Sequence, residues 1–408
     1  MPVNLKAPQQ ENLLVIPGIK IGIASAGIKT IGRPDLVLIE LIEGTTSSAI
    51  YTQNAFCAAP VTLAKQHQSK MPPRYLLINS GNANAGTGAQ GMLAAQVSCQ
   101  AVAVLSGLSE HTILPFSTGI IGEQLPVEKI KIALPDAYQS LQTDNWFAAA
   151  QAIMTTDTIA KALSKQINID GKTITVTGIA KGSGMIRPDM ATMLSYIATD
   201  AAVEQTVLDA MLHKSADQSF NRITVDGDTS TNDACVLMAT GQAKNTIITD
   251  KEHENAKALY EVIAEVSQYL AHAIVRDGEG ATKFIEIEVS QGLDREECRQ
   301  VAYTIAHSPL VKTALFASDP NWGRILAAVG RSGINDFDLS RVTIFLGSVC
   351  IVDGGQPATD YTEQKGQHVT SQDEITIRVA LGRGNVSDTV WTCDFSYDYV
   401  KINAEYRS

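Results

Sequence analysis

The sequence has few cysteines, no long apolar run and no excess of positive charge, and each absence excludes a class of protein. The 6 cysteines in 408 residues lie far apart, form no C-x-x-C pair and have no histidine at a zinc-site spacing. We therefore expect reduced thiols in a cytoplasmic protein. No apolar run reaches the roughly 20 residues that a membrane span requires. The net charge of −11 argues against a broad surface for nucleic acid or an anionic membrane.

The remaining composition is that of an ordinary globular enzyme. The hydrophobic fraction is 45% and the charged fraction 18%. Residues 1–20 lack the basic start, apolar core and small-residue cleavage site of a secretory signal, so we expect no export. The length is ample for a large core and favours two or three domains.

Strand-like and helix-like patterns alternate along the chain, which predicts an α/β or α+β fold. The predicted strands are Leu36 to Ile42, Tyr75 to Ile78, Phe284 to Val289, Val342 to Phe345, Ile351 to Val352 and Ile375 to Leu381. The predicted helices are Met92 to Leu105, Trp146 to Met154, Ile159 to Lys165, Val203 to Ser215 and Asp250 to Arg276. Thr155 to Asp157 is interpreted as the N-cap of the helix from Ile159. A smaller second lobe is predicted at about residues 285–382.

The segment 181–194 is a loop of small residues that delivers a threonine to the start of a strand. Gly182 and Gly184 permit unusual backbone angles, and Pro188 forbids a helix. The Thr192 hydroxyl can attack the preceding carbonyl of Ala191 and split the chain, and the freed α-amino group can then serve as its base. From the residues alone, an ordinary strand threonine remains the alternative.

The same loop resembles the cleavage site of the ornithine acetyltransferase family of arginine biosynthesis, whose members are glutamate N-acetyltransferases and in some cases also amino-acid acetyltransferases. Further stretches resemble the blocks of that family and occur in its order: Asn79 to Ala85, Ser117 to Gly119, Met154 to Thr158, Asp226 to Asp233, Asp277 to Lys283, Asp319 to Arg324 and Tyr399 to Ala404. The resemblance therefore spans essentially the whole chain.

The resemblance implies a layered αββα sandwich and self-cleavage into an α-chain of residues 1–191 and a β-chain of residues 192–408. It further implies that these chains stay together, commonly two of each. The implied reaction moves acetyl from N2-acetyl-L-ornithine to L-glutamate through an acetylated Thr192. No metal or organic cofactor is implied. Acetyl-CoA stays open as a co-substrate, because members with one activity and with two share these motifs.

The resemblance also assigns roles to individual residues. Thr118 and Gly119 would form an oxyanion hole, although from sequence alone they equally describe a turn. The substrate-binding positions would be Thr155, Lys181, Thr192, Glu279, Asn403 and Ser408. Lys181 suits the substrate carboxylate and Glu279 the ornithine ammonium, although each is singly explained as a solvated charge. Arg187, Gly86 and Ser408 depart from residues common in relatives.

Several other functions stay open as alternatives. An N-terminal-nucleophile aminopeptidase or amidohydrolase would use the same threonine with water as acceptor. The run Gly86 to Gly91 fits a dinucleotide fingerprint, but a long gap separates it from the predicted strand. The alternating Asp226, Asp228, Ser230 and Asn232 lack the glycine and glutamate of a calcium loop. A non-catalytic module would neither cleave itself nor turn over substrate.

Overall fold

The computed structural model describes residues 2–187 and 193–405, and the chain divides into two compact units. The larger unit comprises Lys6–Asn221 and Asp228–Ile274, and the smaller comprises Met1–Leu5, Arg222–Gly227 and Val275–Ser408. Three of the predicted site residues, Ala191, Thr192 and Ser408, lie outside the described residues. Within the described part, no helix is long and apolar enough to cross a membrane.

The larger unit is built from two sheets with helices around them. Its strands are β1 (Ile19–Ala24), β2 (Leu36–Leu41), β3 (Thr46–Tyr51), β4 (Tyr75–Asn82), β5 (Ile113–Ile120), β6 (Lys161–Ile169), β7 (Lys172–Lys181), β8 (Leu194–Thr199) and β9 (Ala234–Ala239). Its helices are α1 (Ala59–Gln68), α2 (Gly88–Ser106), α3 (Val127–Gln139), α4 (Trp146–Ala152), α5 (Gln205–Gln218) and α6 (Glu254–Arg276), whose last two residues belong to the smaller unit.

The two sheets pack face to face. The first has the strand order β1-β2-β4-β5 and the second β3-β9-β8-β7-β6. Their inner faces share one apolar cluster, in which Phe116 of β5 meets Tyr196 of β8 edge to face with ring centroids 5.4 Å apart. Alternate residues of β2 face this cluster: Val37 and Ile39 belong to it, whereas Leu36 and Leu38 lie on the other face, as the period of two in a strand requires.

Helices cover the outer faces of both sheets. On the first sheet, Leu38 and Leu77 pack with side chains of α2 and α3 in a second apolar cluster. On the second, Gly178 of β7 leaves room for Val266 and Leu270 of α6, since an added Cβ would lie 2.8 Å and 3.0 Å from their side chains. The larger unit is therefore an αββα sandwich, which confirms the predicted fold class.

The helix predicted from Ile159 to Lys165 is wrong. That segment enters β6, which pairs antiparallel with β7 from Lys161↔Ala180 to Ile169↔Lys172. The hairpin turns at Asp170 and Gly171, both with positive φ (52° and 75°), as an Asp-Gly hairpin turn favours. Tertiary pairing and the turn thus override the helix-cap interpretation of the polar residues before it.

The smaller unit contains one sheet and its own apolar core. Its strands are β10 (Phe284–Gly292), β11 (Thr343–Leu346), β12 (Val349–Asp353), β13 (Gln356–Pro357), β14 (Glu374–Ala380) and β15 (Val386–Cys393). Its further helices are α7 (Arg295–Ala306), α8 (Pro309–Phe316), α9 (Trp322–Gly330), α10 (Glu363–Thr370) and α11 (Tyr397–Ala404). The sheet order is β13-β12-β11-β14-β10-β15, and α7 packs its apolar face on β10.

Candidate active site

The ends of β5 and β7 bring two predicted site residues together across the two sheets of the larger unit. The Lys181 ammonium donates to the Thr118 hydroxyl, with 3.1 Å between Nζ and Oγ1. Both residues are only 8% exposed. An ammonium group only donates, so the Thr118 oxygen accepts here and its own proton is left to donate elsewhere. The lysine thereby fixes the hydroxyl as a donor.

Gly119, which follows Thr118, occupies a position that only glycine fits. Its φ is +136°, and an added Cβ would lie 2.3 Å from the backbone carbon of Gly81. The pairing of β4 with β5 is also irregular here, because the register shifts at Asn82. Interruptions of a regular ladder often occur beside functional sites, where they redirect backbone groups. The backbone at Thr118 and Gly119 thus departs from a regular strand pair.

A buried carboxylate, Asp157, joins Thr155 to the end of β7. Its Oδ2 accepts from the backbone N–H of Thr155 at 3.0 Å, and its Oδ1 accepts from the backbone N–H of Gly182 at 2.8 Å. The Lys161 ammonium donates to the same Oδ1 at 2.6 Å, and both side chains of this pair are fully buried. The carboxylate therefore links the loop after α4 with the residue that follows Lys181.

The charge on Asp157 survives its burial. Burial alone would raise the pKa of this carboxyl, but the positive charges of Lys161 and Lys181 and the hydrogen bonds outweigh burial and hold the pKa below its ordinary value. The site therefore contains a permanent negative charge between two lysines. Such a paired, hydrogen-bonded arrangement is what a buried charge requires.

A second buried carboxyl, Asp233, has its pKa shifted in the opposite direction. It is 3% exposed, and its Oδ2 has no hydrogen-bond partner among the described residues. It precedes Ala234 of β9, whose N–H donates to the Met193 carbonyl at 2.9 Å. Burial raises the pKa of Asp233 well above its ordinary value, although hydrogen bonds from Ser230 and the charge of Lys181 act against this rise.

Asp233→Asn should raise the melting temperature of the protein at pH 8 by about 2–4 °C, the shift expected for about 1 kcal/mol. An acid with a raised pKa in the folded state keeps its proton to higher pH than in the unfolded state. Between the pKa of Asp233 in the unfolded state and its raised pKa in the folded state, the stability of the wild type therefore falls as pH rises. The Asn variant has no proton to lose there and does not share this loss. The advantage of Asp233→Asn should disappear at pH 4, and calorimetry at both pH values measures it.

Asp157→Asn is the matched comparison, because the Asp157 carboxyl of the wild type has a lowered pKa. Its loss of stability should persist at pH 8, since the charged form is the one that the fold stabilises. An unchanged or lower melting temperature of Asp233→Asn at pH 8 would contradict the prediction. That result would mean that the hydrogen bonds from Ser230 and the charge of Lys181 together outweigh the cost of burial at Asp233.

Two further predicted site residues lie in the smaller unit and contact each other. The Asn403 amide donates to Oε2 of Glu279 at 2.8 Å. The loop that carries Glu279 is tied down by Asp394, which accepts from the backbone N–H groups of Thr282 and Lys283 at 2.8 Å and 2.9 Å. Glu279 is therefore a buried carboxylate on a loop held by hydrogen bonds at its far end.

The alternatives drawn from other motifs gain no support from the fold. β4 extends to Asn82, beyond the predicted end at Ile78, so the gap before Gly86 is shorter than predicted. β4 and β5 pair in parallel on either side of α2, as a dinucleotide-binding unit would. However, β2 and β1 continue the sheet antiparallel, so this four-stranded mixed sheet is not the mostly parallel sheet of a dinucleotide fold. In the described part of the chain, no group of three or more potential metal ligands occurs.

Sequence reasoning missed the roles of Asp157 and Lys161 in this site. The sequence pattern predicts a helix cap at Asp157 and a helix that includes Lys161, whereas the structure buries both side chains as an ion pair. One signal was present: the Asp170-Gly171 pair predicts a hairpin turn and therefore strands on both sides. That signal favours β6, although it does not reveal that the lysine is buried.

Comparison with known proteins decides the family. A family model described as the ArgJ family matches residues 20–408. The chain belongs to the ArgJ family. This membership confirms the resemblance found in the sequence.

Individual members of the ArgJ family are similar over nearly their whole length. The arginine biosynthesis bifunctional protein ArgJ of Pseudomonas syringae pv. tomato is 58% identical over 393 residues, covering 96% of this chain and 97% of that protein. The protein of the same name from Methylococcus capsulatus is 54% identical over 407 residues, covering 98% and 99%. A crystal structure of the argJ protein of Bacillus halodurans is 40% identical, with a TM-score of 0.48, and covers 51% of this chain and 96% of that one.

Proposed function

We propose that this protein transfers acetyl from N2-acetyl-L-ornithine to L-glutamate, after cleaving itself between Ala191 and Thr192. The observation that supports this most directly is the buried contact of 3.1 Å between Lys181 and Thr118. Lys181 pairs with Leu194, the first residue of β8, so the contact offers a hydroxyl donor near the strand that the chain enters two residues after Thr192. Acyl transfer needs such a donor because its transition state carries a negative oxygen.

In the proposed reaction, the Thr192 hydroxyl attacks the acetyl carbonyl and its proton passes to the α-amino group of the same residue. The oxyanion accepts hydrogen bonds from the Thr118 hydroxyl and the Gly119 N–H. The bond from carbonyl carbon to nitrogen then breaks, the leaving amine takes the proton, and ornithine departs. The amine of glutamate attacks the acetyl ester in the same manner and releases N-acetylglutamate, which regenerates the free threonine.

The substrate groups would be recognised by opposite charges. The Lys181 ammonium suits the α-carboxylate that acetylornithine and glutamate share, and Glu279 suits the side-chain ammonium of acetylornithine, which glutamate lacks. Thr155, Asn403 and Ser408 would complete the binding positions. These roles follow from the family resemblance and from the chemistry of the side chains.

We also propose that the processed chains assemble as two α-chains with two β-chains and that the enzyme works in the cytoplasm. Light scattering of the purified protein tests the assembly, and fractionation of cells that produce the protein tests the location.

The transfer should follow ping-pong kinetics. A covalent acetyl-threonine requires ornithine to leave before glutamate reacts, so double-reciprocal plots should be parallel. Incubation with N-acetylornithine alone should add the mass of one acetyl group to the fragment that begins at Thr192, as intact mass spectrometry would detect. Glutamate should then remove it.

Two outcomes would count against this mechanism. Intersecting plots without a mass change would indicate direct transfer in a ternary complex. Release of ornithine at a rate that glutamate does not alter would identify a hydrolase, in which water is the acceptor. A parallel incubation with acetyl-CoA as donor shows whether the protein has the second activity.

A further inference from the structure

Asp157 bonds to three separate parts of the candidate site: Thr155, Gly182 and Lys161. We propose that Asp157 is a positioning residue that holds Lys181 against Thr118 and thereby sets the direction of the oxyanion donor. The inference rests on the proposed transfer reaction, and it adds a residue that touches neither substrate nor acetyl group.

Three groups of the described residues donate hydrogen bonds to Asp157. They are the backbone N–H of Thr155, the backbone N–H of Gly182 and the Lys161 ammonium. A carboxylate accepts all three through two oxygens. An amide has only one acceptor oxygen and would place its NH₂ group against a donor. The site therefore needs a carboxylate at this position rather than a polar side chain of the same shape.

Two of these donors are tied to residues with proposed roles: the Gly182 N–H directly follows Lys181, and the other N–H belongs to Thr155 itself. Gly182 follows Lys181 directly, so the bond of 2.8 Å from its N–H fixes the backbone where the lysine side chain begins. From there the ammonium reaches the Thr118 hydroxyl in the facing sheet. Thr155 receives its position from the other oxygen of the same carboxylate. One buried group thus determines where β7 ends and where the loop after α4 lies.

A purely structural role for Asp157 is the competing explanation. Lys161 is fully buried, and a buried lysine without its carboxylate would destabilise the fold. On that explanation Asp157 only neutralises Lys161, and the neighbouring residues do not depend on it. The two explanations differ when Lys161 is also replaced by an uncharged residue of similar length.

The decisive comparison is Asp157→Asn alone against Asp157→Asn combined with Lys161→Met. The single variant should lose both stability and activity. The double variant should recover most of the melting temperature, because the Lys161 ammonium, which is paired directly with Asp157, is removed together with the carboxylate. Its kcat for ornithine release should nevertheless stay roughly 10²-fold below that of the wild type, as small misplacements of catalytic groups typically cost. Full recovery of kcat in the double variant would overturn the proposal.

Asp200→Asn is the control for loss of any buried carboxylate in this sheet. Asp200 is also buried and accepts from a strand residue, the backbone N–H of Thr175, at 2.8 Å. Thr175 lies six residues from Lys181 along β7, which corresponds to about 20 Å. Asp200→Asn should therefore leave kcat unchanged. A fall in kcat equal to that of the double variant would also overturn the proposal.

A crystal structure of the double variant tests the geometry without any substrate. The distance between Lys181 Nζ and Thr118 Oγ1 should exceed the 3.1 Å of the wild type and pass beyond hydrogen-bond range. A retained contact would contradict the positioning role even if the protein proved to catalyse another reaction. Failure of the wild type to release ornithine would instead count against the proposed function alone.

Discussion

Thr192→Ala should abolish both self-cleavage and acetyl transfer. The wild-type protein should run as two fragments, residues 1–191 and 192–408, whereas the variant should remain one chain of 408 residues. The hydroxyl is needed twice, first to attack the Ala191 carbonyl and then to accept the acetyl group. Denaturing electrophoresis shows the number of chains, and N-terminal sequencing should find threonine at the start of the second wild-type fragment.

Two variants separate the hydroxyl from the general effect of substitution. Thr192→Ser keeps a hydroxyl and should still cleave. Thr199→Ala removes a buried threonine hydroxyl from the other end of β8 and should leave cleavage and transfer intact. If Thr192→Ala is still cut between residues 191 and 192, the assignment of the nucleophile is wrong.

The strands predicted from sequence include continuous apolar runs, such as β2 and β4, and strands with a strict alternation of side chains. In β10, Ile285, Ile287 and Val289 are buried, and they alternate with glutamates that are not. This pattern leaves one interpretation, because only a strand places every second residue on the same face. The αββα order of the layers does not follow from periodicity, and only the family resemblance predicts it.

Polar residues before a strand were the main source of error. Thr155 to Asp157 has the composition of a helix cap, since a cap and a buried hydrogen-bond centre use the same side chains. What distinguishes them is the identity of the donors. The carboxyl of Asp157 accepts from Gly182, 25 residues away, and such a partner has no local signature in the sequence.

The contact between Lys181 and Thr118 illustrates the same limit for the candidate site. The two residues are 63 positions apart and lie in different sheets. Their side chains meet only because the two sheets pack face to face and β5 and β7 end at the same edge of the interface. The family resemblance gave each residue a role, but it did not indicate that one role depends on the other.

Thr118→Ala should lower kcat by about 10²–10³, the usual cost of removing one oxyanion donor, with little change in KM. A donor aimed at the developing negative charge acts mainly in the transition state, so substrate affinity should be nearly preserved. Self-cleavage should slow as well, because the attack on the Ala191 carbonyl builds the same kind of oxyanion. Steady-state kinetics and the time course of chain cleavage measure the two effects.

The neighbouring residue on β5 provides a matched control for Thr118→Ala. Ser117 is equally buried, but its hydroxyl donates to the side-chain oxygen of Asn79 at 2.6 Å rather than accepting from Lys181. Ser117→Ala therefore removes a buried hydroxyl without removing the proposed oxyanion donor, and it should leave kcat nearly unchanged. Thr118→Ser should retain much of the activity, because its hydroxyl can still accept from Lys181 and donate its own proton. Equal activities of Thr118→Ala and the wild type would mean that the 3.1 Å contact between Lys181 and Thr118 serves the stability of the sheet edge alone.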